Sequence, residues 1–251
     1  MDFEPVARFG LLMVRPGMLI VAAPAFGGGF APAVVKAGLT VLVALMLVPI
    51  VSLPDLASTV GLTAVVAREA AVGLALAFGL RVLVAGAEFA GQLTGFQLGF
   101  TYASLVDPQT GARNNVLSSL YGTLALVIVF LVNAHHDFLR ALWMSYQALP
   151  VGLGGVEASL SGLVARGLGF VFLIGAQLAA PVVIVLLIVE LALGLLSRAA
   201  PTLNIMVQGF PIRIVVGLLA LAATIRVVPI VVHGSVPGVL DLATRLAAVF
   251  R

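Results

Sequence analysis

The residues of this chain best suited to chemistry are ionisable side chains set singly into long apolar stretches: Arg15, Arg68, Glu69, Arg81, Glu88, Glu190 and Arg213. A charge in such surroundings faces protein or a water-filled cavity. Two chemistries follow: ion pairing that fixes helices to one another or to neighbouring chains, or a relay that passes protons or ions. Both stand for Arg68, Glu69, Arg81 and Glu88. For Glu190 and Arg213 the spacing is more specific. They lie at comparable distances from the turn Arg198-Ala199-Ala200-Pro201-Thr202-Leu203-Asn204, which predicts a buried ion pair across a helical hairpin. Removing one partner of such a pair costs about 3–5 kcal/mol, because the other charge stays buried alone.

Other chemistries find no support in the residues. His135-His136-Asp137 resembles a metal-binding cluster in composition only. Adjacent helical residues point about 100° apart, and neither H-E-x-x-H nor an H-x-x-x-H pair occurs, so these residues read as a polar helix-end loop. Gly27-Gly28-Gly29 lacks the G-x-x-x-x-G-K-[ST] pattern of a phosphate loop and reads as a turn. With no cysteine, disulfides and thiolate sites are excluded. There is no nucleophile elbow, zinc signature or nucleotide fingerprint. The expectation is a chain with no catalytic residues, no metal and no cofactor, and not an enzyme.

The elements that must hold these charges are membrane helices. Of 251 residues, 62% are hydrophobic and 9% charged, with mean hydropathy +1.22, a membrane-protein composition. Uncharged runs at Ala37 to Pro54, Asn114 to His136 and Gly167 to Val189 are long enough to cross a hydrocarbon layer roughly 30 Å thick. The thirteen basic residues, only one of them lysine, are scattered singly, so the net charge of +3 does not indicate nucleic-acid binding and no membrane orientation follows from it. The N-terminus, with Asp2 and Glu4 and an apolar run broken by Arg15-Pro16, lacks the form of a cleaved signal and is expected to be retained.

In chain order, the sequence predicts a first helix over Val6 to Ala23, a connector to Pro32, and a spanning second helix over Ala33 to Val51. From Leu62 to Ala103 the pattern stays helical for longer than one crossing needs, as a bent helix or two in series. Val116 to Asn133 is a further span and Phe138 to Leu149 a helix with Arg140, Trp143 and Tyr146. Leu160 to Ile174 and Gln177 to Ser197 are nearly continuous helix, and Ile205 to Val232 returns as the second arm of a hairpin. Gly209-Phe210-Pro211 should kink that arm, since Pro211 has no N–H to donate and restricts Phe210. Val236 to Arg251 reads as a short amphipathic tail lying on a surface. The fold class is all-α membrane protein, built of broken helices and hairpins.

One stretch changes character along its length. In GAEFAGQLTGFQLGFTYASLVDPQTGARNN, Gly86 to Asn115, the small residues Ala87, Gly91, Gly95, Gly99 and Ala103 recur every fourth position, a ridge that lets another backbone approach. The helix then meets Asp107-Pro108 and gives way to a polar loop. Two functional classes remain from residues alone: a secondary transporter with broken helices, or a structural subunit of a larger conduit. A transporter predicts internal repeats, and none is evident.

The segments Gly86 to Pro108, Leu149-Pro150-Val151-Gly152, and above all LALGLLSRAAPTLNIMVQGFPIRIVVGLL from Leu191 to Leu219, resemble the flagellar biosynthesis protein FliR family, with the injectisome SctT proteins as more distant relatives. The resemblance runs the length of the chain, and its most specific part spans Arg198, Pro201, Asn204 and Gly209, Phe210, Pro211. It implies a non-enzymatic subunit of the flagellar type III export gate, which passes unfolded flagellar proteins across the inner membrane. The implied partners are FliP-like and FliQ-like subunits and an FlhB-like switch subunit, packed as a helical spiral. Residues 1–175 would correspond to a FliP-like part and residues 176–251 to a FliQ-like hairpin and tail. The family's pore plug follows the long central helix and falls on Tyr102, Leu105, Val106, Asp107 and Pro108, continuing to about Asn115. The family often has phenylalanine where Tyr102 and Leu105 stand, so the aromatic character of the seal is reduced here. The ridge Ala87 to Ala103 becomes a packing seam against neighbouring subunits. The injectisome counterpart is the alternative assignment.

Overall fold

The computed structural model describes residues 4–27, 31–51, 59–100, 116–151, 160–200 and 205–250. Among them are nine α-helices and no strand: α1 (Glu4–Ala22), α2 (Pro24–Gly27), α3 (Ala33–Leu47), α4 (Thr59–Leu98), α5 (Val116–Leu131), α6 (Ala134–Ala148), α7 (Leu160–Ala199), α8 (Ile205–Thr224) and α9 (Val227–Ala248). Three of them, over Gly61–Leu98, Leu160–Ala199 and Val227–Ala248, are long and apolar enough to cross a membrane, and the pair α5 and α6, bent by 70°, makes a fourth if taken as one span. The all-α membrane fold expected from composition is therefore the fold observed.

Several boundaries differ from those the sequence suggests. The second helix ends at Leu47, and its 15 residues reach only about 22 Å, short of the roughly 30 Å hydrocarbon layer. Pro49 and the residues around it form a turn instead of a last helical turn. The region from Leu62 onward is not two helices in series: α4 is one continuous helix of 40 residues, about 60 Å long and so about twice the thickness of that layer. α7 is equally long and continues through Pro181. His135, His136 and Asp137 stand in the first turn of α6, after Asn133 takes a left-handed φ of 57°, so they start a helix and do not form a loop. Asn133 is one of the few residue types that tolerate this conformation, which makes the bend between α5 and α6 local.

The chain forms two compact units, Met1–Leu83 with Val129–Gly169 and Val236–Arg251, and Val84–Ile128 with Phe170–Ser235. In the first, Leu12, Leu19 and Ile20 of α1, Leu76 and Leu80 of α4, and Phe138 and Leu142 of α6 are fully or almost fully buried. Close approach is set by glycine: Gly73 leaves no room for a Cβ beside the Arg15 carbonyl and Met18, and Gly79 faces Ala243 and the Val239 carbonyl. The C-terminal segment belongs to this core. Val236, Val239, Leu242, Ala243, Leu246 and Ala247 of α9 are buried at three- and four-residue spacing, a helical face turned inward. The expected surface tail is thus half of a core helix, with Asp241 and Arg245 paired at 2.7 Å on its outer side.

In the second unit, Leu98, Leu117, Val182 and Leu186 form a buried cluster with Ala220 and Leu221 against it. Gly86 lies under Ile174, and Gly175 under the Phe89 ring, which meets Phe172 edge to face at 5.2 Å. α4 and α7 thus meet at two glycines, a geometry that brings backbones together where lipid gives no hydrophobic drive to helix association.

Candidate functional site

The first unit holds a buried charge cluster around Arg15. Arg15 and Glu69 both have side chains with no solvent exposure. Arg15 Nε donates to Glu69 Oε2 at 2.7 Å and Nη2 to Oε1 at 2.9 Å, the two-pronged geometry that a planar guanidinium offers a carboxylate. Nη1 donates to Ser145 Oγ at 3.0 Å and Nη2 also to the Leu149 carbonyl at 3.1 Å. The guanidinium carbon sits 4.0 Å from the centre of the Tyr146 ring, a contact worth about 2 kcal/mol when desolvated. Taking an ion pair out of water costs several kcal/mol per charge, which only such complete coordination offsets.

The same cluster explains Pro16. A proline inside a helix cannot donate to the carbonyl four residues back, here Leu12, and leaves that buried acceptor open. Tyr146 Oη donates to the Leu12 carbonyl at 3.2 Å and fills the gap. Next to Glu69, Arg68 donates to the carbonyls of Phe250 and Pro150. Two consecutive residues of α4 therefore tie together α1, the end of α6 and the C-terminal end of α9. Among the four charges for which pairing and relay both stand open in the sequence, Glu69 is paired and Arg68 holds backbone carbonyls. Arg81 is exposed on α4. Glu88 lies across Gly122, whose Cβ would fall 2.9 Å from Glu88 Cγ.

The small-residue ridge packs inside the chain at its described positions. Ala87 is fully buried, and a Cβ on Gly91 would meet the Leu117 carbonyl and lie 2.5 Å from Ser118 Cα of α5. Ser118 Oγ completes this crossing by donating to the Glu88 carbonyl at 2.9 Å. Gly95 is buried, and Gly99, at φ 86°, ends the helix in a conformation open to glycine. Ala103 lies outside the described residues, as do Tyr102, Leu105, Val106, Asp107 and Pro108. The seam expected against neighbouring subunits is occupied at Gly91 by the chain's own α5.

In the C-terminal hairpin, Arg213 Nη2 lies 3.0 Å from Glu190 Oε1 with both side chains about one-third exposed, a pair open on one side. Arg198 is exposed in the last turn of α7, while Pro201 and Asn204 lie outside the described residues. Gly209 is buried, Phe210 is 45% exposed, and α8 continues unbroken through Pro211. His135 and His136 stack at 4.2 Å, and no three His, Asp or Glu side chains converge among the described residues. Residue patterns do not point to Ser145 and Tyr146 as partners of Arg15. The one signal concerns Tyr146 alone: Pro16 inside a helix leaves the Leu12 carbonyl in want of another donor.

Comparison with known proteins places these features in a family. Residues 6–237 match the family described as bacterial export proteins, family 1. The flagellar biosynthetic protein FliR of Bacillus subtilis (strain 168) is 32% identical over 229 residues, 90% of this chain and 88% of that protein. FliR of Escherichia coli (strain K12) is 32% identical over 213 residues, 84% and 81% of the two chains. The Yop proteins translocation protein T of Yersinia pestis is 30% identical over 158 residues, 62% and 60%. A match over nearly the whole chain, on helices long and apolar enough to cross a membrane, makes this integral membrane protein a member of the bacterial export protein family 1.

Proposed function

We propose that this chain is a subunit of the flagellar type III protein export gate and that its role there is structural, not enzymatic. The observation that carries the reading is the similarity to FliR proteins over 84–90% of the chain, on a scaffold of apolar helices. The injectisome reading is favoured by one observation, the similarity to a Yop translocation protein, but that similarity covers only 62% of the chain. The flagellar reading is preferred for its greater coverage.

In this reading the chain sits in the inner membrane beside FliP-like, FliQ-like and FlhB-like subunits, with residues 1–175 in the FliP-like role and 176–251 in the FliQ-like role. Unfolded flagellar proteins are the cargo, and the energy comes from other components and the proton gradient. Tyr102, Leu105, Val106, Asp107 and Pro108 form the plug. Support for that assignment is the family resemblance of Gly86 to Pro108 together with the helices on either side, which are held by Gly91 and Ser118. The apolar side chains exposed on α7 and α8, such as Leu187, Leu191, Val215 and Leu219, suit a hairpin surrounded by lipid or by partner helices. Tagged purification from the native membrane in mild detergent tests the proposal. Co-isolation of FliP-like and FliQ-like chains is expected; a lone chain that binds a small solute would instead indicate a transporter.

A further inference from the structure

We infer that the α7–α8 hairpin positions the two helix ends that bracket residues 101–115, and that Gly217 is the residue through which it does so. This rests on the reading of the bracketed segment as the plug, and it assigns a role to a hairpin glycine that neither spacing nor turn chemistry singles out in the sequence.

Leu98 is the last residue of α4 and Leu117 the second residue of α5, so they stand just before and just after that segment. Both are buried in one cluster with Val182 and Leu186 of α7. The two ends are therefore fixed by the same patch of the hairpin. Leu98 also reaches the other arm: a Cβ on Gly217 of α8 would run into Leu98 Cδ2 and lie 3.2 Å from Leu186 Cδ2. The Leu98 side chain thus fills the space that the missing Cβ leaves. Immediately after this wedge the chain turns at Gly99 with φ 86°, so Leu98 is the last helical residue of α4 and the hairpin holds its side chain.

Helix propensity points the same way. Glycine inside a helix is about 1 kcal/mol worse than alanine, so Gly217 is unfavourable for α8 taken alone. By contrast Gly194, on the other arm of the same hairpin, has nothing within 4 Å of the place a Cβ would occupy and serves as a control. Substituting alanine at Gly194 should improve its helix without touching any neighbour. Alanine at Gly217 should improve the helix equally but displace the Leu98 side chain from the space it fills, loosening the seat of the end of α4 on the hairpin.

The test compares assembled, purified gates carrying the parent chain, G217A, G194A, L98A, the double variant G217A/L98A, and a chain shortened between Val106 and Asn115. Amide hydrogen exchange is measured over the last turn of α4 and the first turn of α5, and small-ion leakage is measured in reconstituted vesicles. The expected result is a several-fold rise in exchange at both helix ends for G217A and none for G194A. The double variant should be perturbed less than the two single effects added together, the mark of direct coupling. L98A, which adds no bulk, supplies the same exchange readout if G217A fails to assemble. Unchanged exchange in G217A, or strictly additive effects, overturns the positioning role. Leakage separates the two readings. A shortened chain that leaks beside a G217A with parent-like exchange leaves the plug standing and overturns the positioning role. A shortened chain that stays tight removes the plug reading, while raised exchange in G217A beside it still supports the positioning of the two helix ends and unchanged exchange overturns it.

Discussion

Arg15 shows what a single side chain must satisfy to be buried in an apolar protein. Its guanidinium meets Glu69, Ser145, the Leu149 carbonyl and the Tyr146 face, and neither member of the ion pair touches solvent. Replacing Arg15 with methionine leaves Glu69 buried and unpaired, which costs about 3–5 kcal/mol. The expected outcome is a clear fall in the unfolding midpoint in detergent. Replacing both partners, R15M with E69L, should recover much of that loss, because apolar residues of similar volume often match a buried pair. Y146F tests the role of Pro16 separately. It keeps the ring under Arg15 but strands the Leu12 carbonyl, for a loss of about 1–3 kcal/mol by the same measurement. That Arg15 does not face lipid is legible in the sequence, since a charge beside Pro16 in an apolar run needs protein or water around it, and the structure supplies protein. Its partners are not, because Ser145 and Tyr146 lie 130 residues or more along the chain and are ordinary members of a helix in any local window.

Among the elements, α4 contributes to both units, and its glycines decide what it can pack against. Gly91 faces backbone of α5, which cannot move aside as a flexible side chain would. Gly91→Val is therefore expected to cost at least the roughly 1–3 kcal/mol typical of overpacking, with lost assembly on size-exclusion chromatography. The four-residue repeat of small residues makes this close contact legible. It does not reveal that the partner at Gly91 belongs to the same chain, because a ridge specifies how near another backbone comes and not whose backbone it is. The lengths of α3 and α4 escape the sequence for a related reason. Hydropathy continues through Pro49 although the helix stops at Leu47, and Arg68, Arg81 and Glu88 interrupt hydropathy although the helix does not. The tail from Val236 follows the same logic. Its few charges suggest a surface helix because they mark an outer face, but the width of the apolar face, from Val236 to Ala247, is what seats it in the core.

For the whole molecule, composition is enough to establish a helical membrane protein, and the Arg198 to Pro211 motif is enough to suggest the family that the match over residues 6–237 shows. Two features exist only in three dimensions: the joining of α1, α6 and α9 to α4 through Arg68 and Glu69, and the shared seat of Leu98 and Leu117 on the hairpin. Both concern residues far apart in sequence, and neither has a spacing that a linear pattern could register. α7 exposes apolar side chains along Leu187, Ile188, Leu191 and Leu195, a surface that suits the partner subunits proposed above. Charge reversal at the partly exposed Arg213, R213E, places two carboxylates together there and should weaken co-isolation of partner subunits more than it disturbs α1 to α6.

As a subunit of the flagellar export gate, this chain should be needed for flagellar protein export across the membrane. Deleting its gene in the source bacterium and quantifying flagellar filament and hook proteins in the medium and in the cytoplasm checks this at once. Export should be lost while the cytoplasmic pools persist, and a plasmid copy of the parent chain should restore it. Undiminished secretion in the deletion strain would contradict the claim.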